Sequence, residues 1–239
     1  MKRFFPIMND EPEKGMHFAL LAYWLFAFWF VPFWMPFVAD GYWDNHPVIS
    51  WFEIIYHVLN SAVVILMLKQ YLVDSFLNVQ LDLRGFLLTV GPAALVLLVL
   101  AAAAYYFMGP WVANFFPVSE MTVALTSGYM VEMNPLFGTI CHSLVVPFAV
   151  VGLFYVTGFA AVCRRNRWLG YVVVTVALAL PCAFEILWRR QTDLVFHTYL
   201  MQLPVHLVAC WTYQKADTVW APIATLAVFN LGTSIAALL

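Results

Sequence analysis

Seven stretches of this chain are each long and apolar enough to cross a bilayer: roughly 16–39, 49–72, 86–108, 136–163, 168–188, 194–213 and 218–238. A spanning helix needs about 20 mostly apolar residues, because only a helix or a closed barrel satisfies its own backbone inside lipid. Seven such stretches leave little chain for anything else. The sequence therefore predicts an all-α, polytopic transmembrane helix bundle of about seven spans. Composition agrees: 64% of the residues are hydrophobic and 10% charged, more apolar surface than a soluble core of this size needs. The 11 basic and 13 acidic residues give no reason to expect a nucleic-acid partner, and no glycine-rich phosphate loop occurs. The expected partner is the lipid bilayer.

Residues 1–15, with Asp10, Glu11 and Glu13, read as a solvated cytoplasmic tail. The stretch 16–39 is too long and too aromatic for a secretory leader, and no small-residue cleavage site follows, so it reads as a retained helix. Three spans fill 16–108, a loop covers 109–135, and four spans fill 136–239. Basic residues orient such a bundle. With the N-terminus cytoplasmic, Lys2, Arg3, Lys14, Lys69, Arg84, Arg164, Arg165, Arg167 and Lys215 fall inside, and only Arg189 and Arg190 outside. The loop 109–135 is then external, with Trp111, Phe115, Phe116 and Tyr129 suited to the interface, and the C-terminus is external too. Cys141, Cys163, Cys182 and Cys210 lie within or at the ends of spans with no C-x-x-C spacing, and read as small packing residues.

The run Trp211-Thr-Tyr213-Gln-Lys215-Ala-Asp-Thr218-Val-Trp220, continuing to Leu226-Ala-Val-Phe-Asn230, resembles the last two helices of the CPBP family. These are the CAAX-protease and bacteriocin-processing membrane proteins, or Abi family. Their pattern, close to G-x-x-x-G-W-x-Y-x-(K/R)-T-x-S-x-W, leads into a helix carrying H-x-x-x-N. The resemblance implies a CPBP-like core in 136–239, a bacterial plasma membrane, and an intramembrane protease in which paired carboxylates and imidazoles act on a bound water. The residues for that chemistry are replaced here. After Pro135, Phe137 and Gly138 stand where the motif E-E-x-x-x-R has glutamates, and His142 where it has Arg. In F-x-x-x-H, Phe184 is kept and Trp188 replaces His. In H-x-x-x-N, Leu226 replaces His and Asn230 is kept. What survives is scaffold: Pro135, Phe184, Trp211, Tyr213 and Trp220. A rival register would use Glu185 and Arg189 as E-x-x-x-R with His206 as the imidazole, but it leaves no room for the intervening helices.

Polar side chains inside spans are expensive. Glu53, His57 and Asn60, at i, i+4 and i+7, share one helical face. They could form a relocated acid–base pair, two ligands of a metal site that needs a third, or a hydrogen-bond network within the bundle. No cofactor follows from the sequence; a divalent metal is left open. His142 offers either a cationic role or a histidine bonded at a helix start. Glu185 and Arg189 suit an ion pair at the outer interface. His197 and His206 face opposite sides of one helix and so do not form a single site. Asn230 suits a helix–helix hydrogen bond.

Three functions are compatible with this pattern. The first is a catalytically silent member of the family, a pseudoprotease that holds a membrane or cell-envelope partner. The second is a divergent active endopeptidase, with Glu53 as base and His57, His142 and Asn230 around it. The third is a transporter or channel subunit. It requires a continuous polar path, although spans three and four are almost wholly apolar and only Gly91-Pro92 and Pro181 offer helix breaks.

Overall fold

A computed structural model describes residues 46–103, 129–163, 166–176 and 203–238, together with Ala19, Ala22, Tyr23, Phe26 and Tyr106. The described elements are all helical. Helix α1, His46–Leu81, is 36 residues long, and α2 spans Leu83–Ala103. A short α3, Tyr129–Met133, precedes a segmented rod. The rod consists of α4, Pro135–Ile140; a π-helical stretch π1, Cys141–Val145; α5, Val146–Val150; a second π-helical stretch π2, Val151–Ala160; and α6, Ala161–Cys163. Then come α7, Arg167–Val176, α8, Leu203–Ala216, and α9, Trp220–Leu238. The calls on Glu185, Arg189, Trp188, His197, Phe184, Pro181 and Cys182 lie outside the described residues.

Both α1, from Ser50 onward, and α2 are long and apolar enough to cross a membrane, and only 28% of each apolar window is buried within the protein. A core helix of a soluble protein would be mostly covered. Here Leu66, Leu87, Leu88, Leu95 and Val99 point outward, an exterior suited to acyl chains.

Two sequence expectations change. The second apolar stretch ends near 72, yet α1 runs on to Leu81. Leu72, Ser75, Asn78 and Val79 recur every three or four residues and are buried, while Asp74 and Gln80 sit on the exposed face, so the segment is an amphipathic continuation. The turn is short: Asp82 Oδ1 accepts the Gly85 N–H at 2.9 Å, capping α2. Likewise Gly91-Pro92 does not break α2, which passes through Pro92. Helix α3 lies at the end of the stretch 109–135. Met130 and Val131 of α3 are fully buried, and Met130 packs with Ile54 and Cys141.

The main core joins α1, π2, α8 and α9 through Val64, Leu68, Leu72, Val151, Tyr155, Phe159, Tyr213, Ile223 and Leu226. Gly152 lets π2 approach α1, since a Cβ there would strike Val64. The α8–α9 turn docks on the second half of α1. Thr218 caps the Trp220 N–H (3.3 Å) and meets the Ser75 hydroxyl (2.8 Å), which also accepts the Val219 N–H (2.9 Å). Trp220 Nε1 donates to the Leu72 carbonyl at 2.9 Å, and the Tyr213 and Tyr71 hydroxyls are 2.6 Å apart. Lys215 lies 4.7 Å from the Trp211 ring centroid. Trp211, Tyr213, Lys215, Thr218, Val219 and Trp220 of the C-terminal run thus each have a packing or capping contact.

Candidate functional site

The polar residues of α1 meet those of π1 and α9 at the end of the bundle away from this turn. Pro147 explains why π1 opens there. Proline has no N–H and its ring crowds the preceding turn, which favours a local π widening. The Val146 N–H reaches back five residues to the Cys141 carbonyl. In that register the His142 carbonyl would need the N–H of Pro147, which does not exist. Asn230 of α9 supplies the donor instead: its Nδ2 donates to the His142 carbonyl at 2.8 Å. The same histidine ring has Nδ1 3.0 Å from Ser234 Oγ. Asn230 and Ser234 are four apart on α9, so one helical face holds both the backbone and the ring of His142.

Helix α1 lines the opposite side. Ser61 donates to the Val145 carbonyl at 2.6 Å, and the Cys141 thiol lies 3.9 Å from the Ile54 carbonyl. His57 lies between these ties on α1, and Glu53 just before the first of them. The Met130 backbone hydrogen-bonds the Glu53 carboxyl. Tyr23 donates to Asn60 Oδ1 at 2.5 Å. Asn134, at the α3–α4 junction, donates to the Ser50 hydroxyl at 2.5 Å. Glu53, His57, Asn60, His142 and Asn230 are thus on packed segments of one region, and the α1 stripe faces the bundle.

The region is short of hydrogen bonds. Glu53 Oε2, His57 Nδ1, Asn60 Nδ2, Thr139 Oγ1 and Ser143 Oγ are buried without a partner. Interior polar groups are ordinarily paired, and leaving one unpaired costs about 1–3 kcal/mol. Among the described residues no three His, Cys, Asp or Glu side chains converge in a way that could hold a metal, so the Glu53–His57 pair finds no third ligand there. Thr139, Ser143, Ser61 and Ser234 were not singled out by sequence. The available signal was the four-residue spacing of Thr139 with Ser143 and of Asn230 with Ser234.

The positions that the CPBP register assigns to catalysis have other surroundings. A Cβ at Gly138 would collide with the Met130 carbonyl, because α3 folds back onto α4. Phe137 is 57% exposed and leans on Trp51, ring centroids 5.9 Å apart. Leu226 belongs to the main core. His206, the imidazole of the rival register, has Nδ1 2.6 Å from the hydroxyl of fully buried Tyr155. Cys141, Cys163 and Cys210 are free thiols, all buried.

No protein-family model matches this chain, and no solved structure matches it. Among curated proteins it is similar to the delta(14)-sterol reductase LBR of Gallus gallus, 26% identical over 136 residues, which cover 48% of this chain and 21% of that protein. The chain therefore spans about a fifth of that relative's length.

Proposed function

We propose that this chain is a multi-pass membrane protein of the CPBP kind that has lost the family's hydrolysis and acts by holding a membrane or cell-envelope partner. It sits in a bacterial plasma membrane with its N-terminus cytoplasmic and its C-terminus external. The observation that carries the silent reading is Gly138. A glutamate there has no room for even its first carbon, because the Met130 carbonyl occupies the place. Leu226 and Phe137 support it, one as core and one as outward surface. The run Trp211 to Trp220 supports the scaffold, since its residues tie α8 and α9 to α1. The sterol-directed activity in the relative's name is not carried over, because the overlap covers only 21% of that protein.

A second reading, the divergent peptidase, is favoured by the grouping of Glu53, His57, His142 and Asn230. In it Glu53 takes the proton of a water attacking a peptide carbonyl, and the imidazoles stabilise the developing charge. One experiment separates the two. The protein in proteoliposomes is given a quenched fluorogenic transmembrane peptide, alone and as Glu53→Gln and His142→Ala. The silent reading expects release no faster than empty vesicles from all three. Cleavage by the wild type that either substitution abolishes replaces it with the peptidase.

A further inference from the structure

Where α7 begins, an exposed arginine is fixed in place by the neighbouring helix. We infer that Arg167 binds the phosphate of a net-anionic phospholipid, with an acyl chain of that lipid lying along the outer face of α7. The site requires only a bilayer around the bundle, not CPBP descent.

Arg167 opens α7 and is exposed. A surface arginine ordinarily keeps its rotamer freedom and loses it on binding. This one is already tied: its Nε donates to Gln214 Oε1 at 2.9 Å. The same oxygen accepts the Tyr171 hydroxyl at 3.1 Å, and Gln214 Nε2 lies 3.6 Å from the Cys163 sulfur. Side chains from α6, α7 and α8 thus orient one guanidinium. A guanidinium presents its N–H donors in one rigid plane, and Nε uses a single donor here. The two terminal nitrogens keep the fork that pairs with a phosphate. Among the described residues, no carboxylate pairs with it.

The surroundings select a lipid over a soluble anion. Trp168 is 75% exposed, Leu169 48%, Val172 52% and Val176 50%, an apolar stripe at helical spacing on the side of α7 turned away from the bundle. The other side, Gly170 and Val174, is buried, and a Cβ at Gly170 would crowd Cys163 and Phe159. An outward apolar stripe is the surface an acyl chain covers, and a tryptophan at its end marks the level of the headgroups. Arg167 directly precedes that tryptophan. The Trp168 and Tyr171 rings, centroids 6.4 Å apart, stand together, and Tyr171 shares Gln214 with the arginine. The start of α7 is capped from within, Asn166 Oδ1 accepting the Trp168 N–H at 3.0 Å, so the Arg167 side chain and not the helix end supplies the attraction. A zwitterionic headgroup would bring a second cation up to the guanidinium, which favours a lipid of net negative charge.

The test is native mass spectrometry of the full chain in detergent, titrated with phosphatidylglycerol or with phosphatidylcholine of the same acyl chains. Wild-type protein should bind phosphatidylglycerol about tenfold more tightly, the effect of one charge-assisted contact. Arg167→Gln should erase that preference. Lys215→Gln, which removes the same charge from a lysine stacked over Trp211, should keep it. Equal binding of the two lipids by the wild type overturns the inference. Equal losses in the two variants overturn it too, in favour of a diffuse basic surface. Glycerol 1-phosphate in large excess should leave the lipid bound; displacement would assign Arg167 to a soluble anion and overturn the lipid. Should Arg167→Gln not fold, tryptophan fluorescence of the wild type and of Trp168→Phe in nanodiscs decides. The Trp168 emission, taken as the difference between the two proteins, should be quenched more by acyl-brominated phosphatidylglycerol than by equally brominated phosphatidylcholine. Equal quenching overturns the inference.

Discussion

His142 is held at two points by one neighbouring helix, and Pro147 accounts for the one at its carbonyl. Replacing Asn230 by Leu leaves the His142 carbonyl buried and unpaired, which should cost about 1–3 kcal/mol. The measurement is denaturant unfolding in micelles against Leu231→Ala, an exposed neighbour; equal losses from the two would contradict the role given to Asn230. Restoring the family's glutamate at Gly138 should fail for a steric reason. Gly138→Glu, and even Gly138→Ala, should lower the folded yield, because the Met130 carbonyl cannot move without α3. A normal yield of the glutamate variant would show that α3 yields easily. Glu53, His57, Asn60, His142 and Asn230 were legible in the sequence because each interrupts an apolar run. Thr139 and Ser143 were not. In lipid, hydroxyls usually bond a carbonyl on the preceding turn and carry no signal. Thr89, Thr175, Thr225 and Thr233 do so here, whereas Thr139 and Ser143 are left unpartnered.

Helix α1 and the α8–α9 turn are joined by polar contacts that converge on Ser75 and Thr218. Thr218→Val keeps the shape but removes the cap on Trp220 and the bonds to Ser75. The expected loss is roughly 1–2 kcal/mol, with faster backbone hydrogen exchange in the first turn of α9; exchange unchanged from wild type would argue that Trp220 alone anchors the turn. Helix existence and type were readable from hydropathy, and α9 falls within two residues of its expected bounds. The length of α1 was not. Asp74, Asn78 and Gln80 break the apolar run that marks a span, yet they do not break the helix, because Asn78 is turned inward and the other two outward. The π1 widening had one sequence cue, Pro147, and its consequence depends on Asn230, far along the chain.

At the scale of the molecule, hydropathy predicted the class and left the arrangement open. Charge counts cannot say which polar residues meet, and the contacts of His142 with Asn230 and Ser234 require the tertiary fold. Orientation remains a prediction of the basic residues: a tag before Met1 should be protected from external protease in intact cells, and one after Leu239 should be cleaved. The reverse pattern would put Arg164, Arg165 and Arg167 outside and invert the bundle. The length of α1 matters here as well. Its 36 residues extend about 54 Å, against a hydrocarbon layer of about 30 Å. Even at a tilt of 40°, near the upper limit for membrane helices, its projection is about 41 Å. The helix therefore outruns the oily layer, and one end stands among the lipid headgroups. The end from Leu72 to Leu81 meets that description, with Asp74 and Gln80 on its outer face and the Ser75–Thr218 junction on its inner one. Hydrophobic mismatch would act on this end first: a thicker bilayer draws the junction toward the acyl chains and a thinner one releases it, so membrane thickness bears directly on how firmly α8 and α9 are fastened.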